Sequence, residues 1–484
     1  MKNLKPKFIF ILSILLFIAV WEITAKIISS PLVLPELEDI FFRLLKLSSE
    51  KKFWFSVLVT FFRVLLSFSL TVILGTIIGF ASGLSENVRA FLIFPFALIR
   101  STPVVALIMI MLFWFPSESL PLICGVLMTL PVMNDAVSKA VQNTNKNILE
   151  MAQVFKLKLS SRISGIYVPY VKPYFSGACR TVFSLGWKVI AAGEILSLPR
   201  YALGTLIQDN RILLEPASVF ALVFVLTLLC VISEKLLFKF FKFLGVTLGR
   251  LRRPRVVPSA VPASASIPES DAAFGNASRA APVTDAILVT DLCFSYGEKI
   301  LFTNFSQNFS SGIITALTAP TGSGKTTLLK ILSGLIPASE YKGQIECPDV
   351  SFIFQDDRLV PEISVLKNVA LPLFSTYSRK TAYNIAYRFL QKVGLEDKAF
   401  EKAAVLSGGE KQKVQAARAF AFPAPVILMD EGTNSLDQVS KKELWNTTRN
   451  LLSEKARTLI FVTHDAEEAK TYADKIISFS DYKN

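Results

Sequence analysis

A nine-residue loop in the second half of the chain carries the residue types that bind phosphate. It follows an apolar stretch that predicts a strand and precedes a stretch that predicts a helix, and it reads Ala319-Pro320-Thr321-Gly322-Ser323-Gly324-Lys325-Thr326-Thr327. Glycines let phosphate approach the backbone N–H groups, and the helix N-terminus adds a favourable dipole. Lys325 is expected to reach the β- and γ-phosphates of a nucleotide and Thr326 to reach Mg²⁺. Ala319 replaces the first glycine of the motif G-x-x-x-x-G-K-[ST], which predicts strain in the turn.

Two adjacent acids lie about a hundred residues further along. The stretch "PAPVILMDEGTNSLD" predicts a buried strand that ends in Asp430 and Glu431. An acid at such a strand end can hold Mg²⁺, and the next acid can polarise an attacking water.

A third stretch, "VLSGGEKQKVQAARAF", predicts a helix whose N-terminus carries Ser407, Gly408 and Gly409. A hydroxyl and bare backbone at a helix N-terminus again suit an anion. A nucleotide site that already has a phosphate loop does not need a second phosphate-binding segment from the same chain. Such a segment is needed where two copies are arranged head to tail and each contacts the nucleotide bound to the other.

His464 is the only histidine in 484 residues, and it follows the apolar run "LIFV". Taken alone, a histidine there is most simply a strand-end residue.

The composition divides the chain into two halves. Hydrophobic residues make up 52% and charged residues 19%, with a mean hydropathy of +0.47, which predicts that part of the chain lies in lipid. Residues 285–484 hold 23 basic and 23 acidic residues, so the net charge of +14 comes from residues 1–284. Because the excess positive charge lies in the apolar half, it is typical of the Lys and Arg residues in the cytoplasmic loops of a membrane protein. It therefore argues against nucleic-acid binding.

Six apolar spans are predicted, at about 8–21, 56–82, 91–115, 119–138, 175–198 and 217–238. The first also has the length of a signal peptide, but no small-residue cleavage site follows, so an uncleaved helix is favoured. Lys and Arg in the loops place the N-terminus and residues 239–484 in the cytoplasm. The segment "SSPLVLPELEDIFFRLLKLSS" predicts a helix that lies at the outer interface or in an ordinary outer loop.

Charged residues occur within the apolar half. Arg180, Lys188 and Glu194 fall in the fifth predicted span, and Arg100 falls in the third. Charges inside a span face a bundle interior or a wet pathway. The sequence leaves open whether these charged side chains form ion pairs that fix helix packing or contact the transported substrate.

Residues 1–249 are therefore predicted to form an all-α transmembrane domain, and residues 285–484 an α/β P-loop NTPase domain. The Pro-, Ala- and Ser-rich segment 250–284 between them predicts a flexible linker. The five cysteines are scattered, without C-x-x-C spacing, so neither a disulfide framework nor a zinc site is expected.

The phosphate loop, "LSGGE" and the Asp-Glu strand end together resemble the ABC ATPase family, over about 286–480. The resemblance implies ATP and Mg²⁺ as ligands and catalytic roles for Glu431, Gln355 and His464, the last as a contact to the γ-phosphate. It also implies that Tyr296 stacks on adenine and that Gln355 touches Mg²⁺. Ser435 and Asp437 match a loop that crosses the dimer interface, whose usual Pro-Phe opening is Gly432-Thr433 here.

The loop at about 139–172 resembles the cytoplasmic loop of bacterial ABC-importer permeases. Glu150 and Ala152 match its opening and Pro169 its end, whereas Met151 replaces an alanine and Lys156 a glycine. In that family the loop docks on the ATPase and transmits its closure. The flanking "LIRSTPVVALIMIMLFWF" and "GWKVIAAGEIL" look like permeases of the nitrate, sulfonate and taurine type.

These resemblances imply a permease and ATPase fused in one chain in the cytoplasmic membrane, which pairs with a second copy and takes a small solute from an external solute-binding protein. Two alternatives stay open: an exporter with the same ATPase, and a membrane-anchored ATPase that signals or remodels without moving solute. The transported solute is not determined by the sequence.

Overall fold

The structure is a computed structural model that describes residues 6–251, 285–320, 322–432, 438–454 and 457–478. The chain divides into two compact units. Unit 1 comprises Met1–Asn143 and Val171–Arg252, and unit 2 comprises Thr144–Tyr170 and Arg253–Asn484. The predicted linker begins at residue 250, and its residues 252–284 lie outside the described part of the chain.

Helices occupy the first half of the chain. In order they are α1 (Pro6–Ile28), α2 (Leu37–Ser48), α3 (Lys51–Leu84), α4 (Glu86–Ser101), α5 (Val104–Met111), α6 (Leu120–Gln142), α7 (Lys146–Val154), α8 (Leu159–Arg162), α9 (Val168–Ser197), α10 (Leu203–Ile212) and α11 (Pro216–Leu251), with a π-helical turn at Ile163–Tyr167. The helices α7 and α8 belong to unit 2.

Within the described residues, four helices are long and apolar enough to cross a membrane: α1 from Ile11, α3, α6, and α11 as far as Lys239. The helices α4 and α5 would together make a fifth span, but they are bent by 101° where they meet. Pro103 lies at this break and cannot donate a backbone hydrogen bond. The span predicted at about 91–115 is therefore not one straight helix. The charged helix α9 is not among the helices that are long and apolar enough to cross a membrane. The count of six spans stays a prediction.

Small residues bring α3 and α6 close together. Gly75, Gly79 and Gly83 recur every fourth residue of α3, and a Cβ added at any of them would lie 2.7 Å from a side-chain atom of α6. The hydroxyls of Thr71 and Thr129 lie 2.7 Å apart across the same contact. Such spacing lets two helices pack backbone to backbone in an apolar environment.

A buried carboxylate joins α3, α9 and α10. The Glu194 side chain is fully buried and accepts hydrogen bonds from Thr60 at 2.9 Å, Arg63 at 2.9 Å and the Gly204 N–H at 3.2 Å. Arg63 also donates to Glu118 at 2.7 Å. These hydrogen bonds tie the three helices together at one buried carboxylate. Arg100 likewise pairs with Asp135 at 2.5 Å.

Unit 2 contains two sheets. Its strands are β1 (Asp285–Tyr296), β2 (Lys299–Ser310), β3 (Ile314–Thr318), β4 (Lys342–Glu346), β5 (Val350–Ile353), β6 (Val426–Asp430), β7 (Thr458–Thr463) and β8 (Lys475–Ser478). The first sheet is antiparallel with order β2-β1-β4, and the second is parallel with order β5-β6-β7-β3-β8. All residues of β6 and β7 are buried, which explains their unbroken apolar sequences.

Helices follow four of the five strands of the parallel sheet, β3, β5, β6 and β7. They are α12 (Lys325–Leu332), α13 (Val365–Ala370), α14 (Arg379–Lys392), α15 (Gly408–Ala421), α16 (Gln438–Glu454) and α17 (Ala466–Tyr472), with short 3₁₀ turns at Ala338–Glu340, Pro372–Ser375 and Ala403–Val405. The alternation of buried parallel strands with helices is the α/β architecture expected from the sequence.

Candidate functional site

The predicted catalytic groups meet at one edge of the parallel sheet. In the ladders, Asp430 of β6 lies beside Val462 of β7, and Thr463 of β7 lies beside Thr318 of β3. Because these strands are parallel, the segments that follow them leave the sheet on the same side. The phosphate loop, Glu431 and His464 are therefore neighbours, although they are far apart in sequence.

Two glycines of the phosphate loop have left-handed backbone conformations. Gly322 has φ of 81° and Gly324 has φ of 98°, and a Cβ on Gly324 would lie 2.9 Å from the Phe302 ring. Ala319 is not among the described residues with positive φ, so the expected strain at this position is not found. Thr321 lies outside the described residues.

The loop contains a polar atom that suits a phosphate ligand. The Ser323 hydroxyl is buried and, within the described part of the chain, has no hydrogen-bond partner. Such groups in a native fold call for an explanation, and a bound ligand is one. Thr327 is buried in the first turn of α12.

Lys325 turns back toward its own loop. Its ammonium donates hydrogen bonds to the carbonyl oxygens of Ala319 and, at 3.1 Å, of Pro320. Burial lowers the pKa of Lys325, while the carboxylates of Glu431 and Asp430 oppose this shift. A phosphate oxygen would be a stronger partner for this ammonium than the neutral carbonyls.

Thr326 and Asp430 form a pair of oxygen donors. The Thr326 hydroxyl donates to Asp430 Oδ1 at 3.0 Å. Burial raises the pKa of Asp430, and the Thr326 hydrogen bond partly offsets it. No group of three or more His, Cys, Asp or Glu residues is placed to hold a metal in the described ranges. Mg²⁺ fits this sparse oxygen set, since it keeps several waters and binds one or two carboxylates together with substrate phosphates.

Glu431 lies between Gln355 and His464. Gln355 Nε2 donates to Glu431 Oε2 at 3.2 Å, and His464 Nδ1 lies 3.7 Å from Glu431 Oε1. Glu431 has φ of 46°, a conformation uncommon outside glycine and found at functional sites. The backbone thus aims this carboxylate at the two groups that the sequence assigned to the same site.

A buried acid supports the segment that carries His464. Glu468 of α17 accepts hydrogen bonds from Thr463 at 2.5 Å and from Trp445 at 3.0 Å. Asp465 caps α17 by accepting from two backbone N–H groups, and these bonds lower the pKa of Asp465. The sequence reasoning missed Glu468, although an acid one helical turn beyond a strand end is a signal for such a support.

Other predicted residues take no part in this hydrogen-bonded cluster. Ser407 is the N-cap of α15 and forms a capping box with Glu410, while Gly408 and Gly409 begin that helix. Tyr296 is 53% exposed at the end of β1. Ser435 and Asp437 lie outside the described residues. Gly432 packs closely, because a Cβ there would lie 2.9 Å from Met429.

The predicted coupling loop forms a docking segment, residues 144–170, in the same compact unit as the ATPase fold. Glu150 on α7 accepts from Arg358 at 2.6 Å, and the Arg358 guanidinium lies 3.8 Å from the centre of the Phe354 ring. Asn147 donates to Asp356 at 3.2 Å. These partners directly follow Gln355 in sequence, so the segment docks beside the candidate catalytic cluster.

The docking segment also reaches the helix that begins at Ser407. Phe155 is fully buried, 5.2 Å from the Phe422 ring and 5.4 Å from the Arg418 guanidinium. Arg418 donates to the Arg358 carbonyl at 2.7 Å, and burial together with the Arg358 charge lowers the pKa of Arg418 to about 9. The sequence reasoning missed Arg358 and Arg418, although a cation in the apolar run "AARAF" was a signal.

The remaining residues of the docking segment shape its turn. Ala152 is buried, and its carbonyl accepts from the Leu157 N–H at 2.9 Å. Lys156, at the position where the resemblance predicts glycine, has φ of 49°, so a left-handed turn is formed there by a different residue. Pro169 lies at the start of α9, directly after the π-helical turn Ile163–Tyr167.

Comparisons with known proteins agree with this site. The family model described as ABC transporter matches residues 302–434. The aliphatic sulfonates import ATP-binding protein of Paracoccus denitrificans is 35% identical over 41% of this chain and 81% of its own length. The phosphonates import ATP-binding protein of Fusobacterium nucleatum is 32% identical over 40% of this chain and 87% of its own length.

Among solved structures, a dimeric ATP-binding cassette in a post-hydrolysis state, bound to ADP and Pi, is 29% identical over 40% of this chain and 93% of its own, with a TM-score of 0.37. The sequence matches and the grouping of the phosphate loop with an Asp-Glu strand end support one conclusion. The chain belongs to the ABC transporter family, and its C-terminal α/β domain is an ATP-binding, ATP-hydrolysing ABC ATPase.

Proposed function

We propose that the chain is one half of an ATP-driven importer in which a six-span permease (1–249) is fused through the linker 250–284 to the ATPase (285–484). The observation that carries this proposal is the docking segment. It leaves the helical unit between α6 and α9 and packs on the ATPase through Glu150, Arg358 and the buried Phe155. A membrane anchor alone has no need of such a contact.

Each ATPase would bind the phosphates of ATP through Gly322, Gly324, Lys325 and the Ser323 hydroxyl. Thr326 and Asp430, with Gln355, would hold Mg²⁺. When bound, the ion neutralises charge on the phosphates. Tyr296, exposed at the end of β1, offers its ring to the adenine.

Glu431 would orient and polarise the water that attacks the γ-phosphate. Its carboxylate is already held between Gln355 and His464, so these three residues form one unit. His464 would donate a hydrogen bond to the γ-phosphate, and Glu468 would keep the supporting turn in place.

Two copies would pair head to tail, so that Ser407, Gly408 and Gly409 of one copy cover ATP bound to the other. Ser435 and Asp437 would cross that interface. Closure of the ATPase pair would move α15, and Arg418 and Phe155 would pass the movement to the docking segment and then to the membrane helices.

The direction of transport is proposed from relatives, and an anionic solute is proposed from the two curated relatives named above. Import is named for both curated relatives, and their solutes, aliphatic sulfonates and phosphonates, are small anions. An external solute-binding protein would deliver the solute. The N-terminus and the ATPase would face the cytoplasm, because the basic residues of 1–284 concentrate in the loops on that side.

Reconstitution in proteoliposomes tests the proposal. The full chain is inserted with the binding protein encoded beside it, and uptake of a labelled alkanesulfonate and of a labelled phosphonate is measured with and without ATP. We expect ATP-dependent uptake that is lost in Glu431→Gln. Movement in the opposite direction would instead support an exporter, and nucleotide-driven conformational change without flux would support a signalling ATPase.

A further inference from the structure

One face of α9 differs from the exposed surfaces of α3 and α11. The described helices α3 and α11 expose large apolar side chains along their length, such as Leu58, Phe62, Leu66, Phe224, Leu228 and Val231. The helix α9 is described throughout, and between residues 175 and 197 it exposes no large apolar side chain. Its exposed residues there are Ser176, Gly177, Arg180, Thr181 and Lys188.

The polar positions form one stripe. Gly177, Thr181, Ser184 and Lys188 are spaced four, three and four residues apart, which places them on one side of a helix. Nothing lies within 4 Å of a Cβ added at Gly177. We call these four residues the α9 stripe.

Lys188 is the cation of the α9 stripe. It lies nine residues before the end of α9, about 14 Å along the axis, so an α9 that spans the membrane places it close to the middle of a hydrocarbon core about 30 Å thick. Across the described residues it forms no ion pair, and neither does Arg180, whose guanidinium instead lies 4.9 Å from the centre of the Phe238 ring. Glu234 on α11 pairs with neither. The third charged residue of this span, Glu194, is neutralised by Arg63.

An ammonium facing hydrocarbon is costly, so such groups face a wet cavity or pair with another group. The neighbouring positions of the stripe are small or hydroxylated, which suits water and not acyl chains. The stripe has no carboxylate, so its charge complements an anion.

We propose that the α9 stripe lines the translocation pathway and that Lys188 binds the anionic group of the transported solute near the middle of the membrane. The second copy contributes the same stripe across the pathway, so two ammonium groups face the anion. This inference rests on the proposed transport function, because α9 must span the membrane beside a second copy.

Thiol labelling of the full-length protein in nanodiscs tests the site without a transport assay. Ser184→Cys places a thiol one turn from Lys188. It is treated with an anionic sulfonatoethyl or a cationic trimethylammonioethyl methanethiosulfonate, and modification at residue 184 is followed by peptide mass spectrometry. Leu228→Cys, on the apolar face of α11 at a similar depth, is the matched control.

We expect the anionic reagent to modify Ser184→Cys about tenfold faster than the cationic one. Adding Lys188→Gln should abolish this preference, and Lys188→Arg should keep it. Labelling no faster than at Leu228→Cys, or equal rates for both reagents with Lys188 present, would overturn the inference. A chain that labels as expected but moves no solute would refute the proposed function and not the wet, anion-selective face.

Discussion

The ion pair between Glu150 and Arg358 gives a prediction whose size follows from burial. Its N–O distance is 2.6 Å, and the side chains are 38% and 8% exposed. A second ion pair of the docking segment, Lys156 with Asp349, has nearly the same length, 2.5 Å, but its side chains are 71% and 60% exposed. The two pairs differ in solvent exposure and not in distance.

Glu150→Gln leaves the Arg358 guanidinium buried without its counter-ion. Removing one partner of a fully buried pair costs about 3–5 kcal/mol, and an exposed pair contributes about 0.2–1 kcal/mol. Because Glu150 is partly exposed, we expect the free energy of local opening of the docking segment to fall by about 1–2 kcal/mol. This raises the equilibrium constant for opening by a factor of about 5–30. Lys156→Gln should cost less than about 1 kcal/mol.

Hydrogen–deuterium exchange of α7 in the full-length protein measures this free energy, because its amides exchange when the segment opens locally. Glu150→Gln, Arg358→Gln and the double variant form a cycle, and the double variant should exchange little faster than either single one. Additive effects of the two substitutions, or an equal effect of Lys156→Gln, would refute the argument from burial.

Four further outcomes follow from the site and its support. Glu431→Gln should slow ATP hydrolysis by about 10²–10⁴-fold, as loss of a general base does, and trap ATP in the closed ATPase pair, detectable as nucleotide that stays bound through desalting; an unchanged turnover would remove Glu431 from that role. His464→Ala should abolish turnover while nucleotide binding, followed by fluorescence titration, stays within a few-fold. Burial raises the pKa of Asp430, so the folded state binds its proton more readily than the unfolded chain, and stability falls as pH rises above the ordinary value of 3.8; Asp430→Asn should therefore raise the melting temperature at pH 7 and still lose Mg²⁺-dependent hydrolysis. Glu194→Gln should cost about 3 kcal/mol because Arg63 loses a buried partner, and a melting temperature equal to that of the native protein would show that the network does not stabilise the helices.

The catalytic residues of the ATPase could be predicted from the sequence because their chemistry is local. A phosphate loop requires glycines and a lysine at fixed spacing, and a buried parallel strand has an unbroken apolar sequence that marks its own end. Asp430 is the last residue of such a strand, and Glu431 and His464 each directly follow one. Parallel strands then bring these ends to one edge, so the grouping followed from the pattern.

Conformation at the unusual positions was harder to predict. Ala319 was expected to strain its loop, yet the described non-glycine residue with positive φ at the site is Glu431. Lys156 keeps a left-handed turn where glycine was expected. Backbone dihedrals of single residues depend on their neighbours in space, and residue type alone gives only a preference.

The sequence by itself determined the residue types of the nucleotide site, the division into an apolar and a charge-balanced half, and the presence of charges in the fifth predicted span. Only the tertiary structure decided how those charges differ. Glu194 is buried against Arg63 and Thr60, whereas Lys188 is exposed and unpaired within the described chain. The side-chain partners of Glu194, Thr60 and Arg63, lie more than 130 residues away. The pairing of a charge depends on packing between distant helices, which spacing along one helix does not encode.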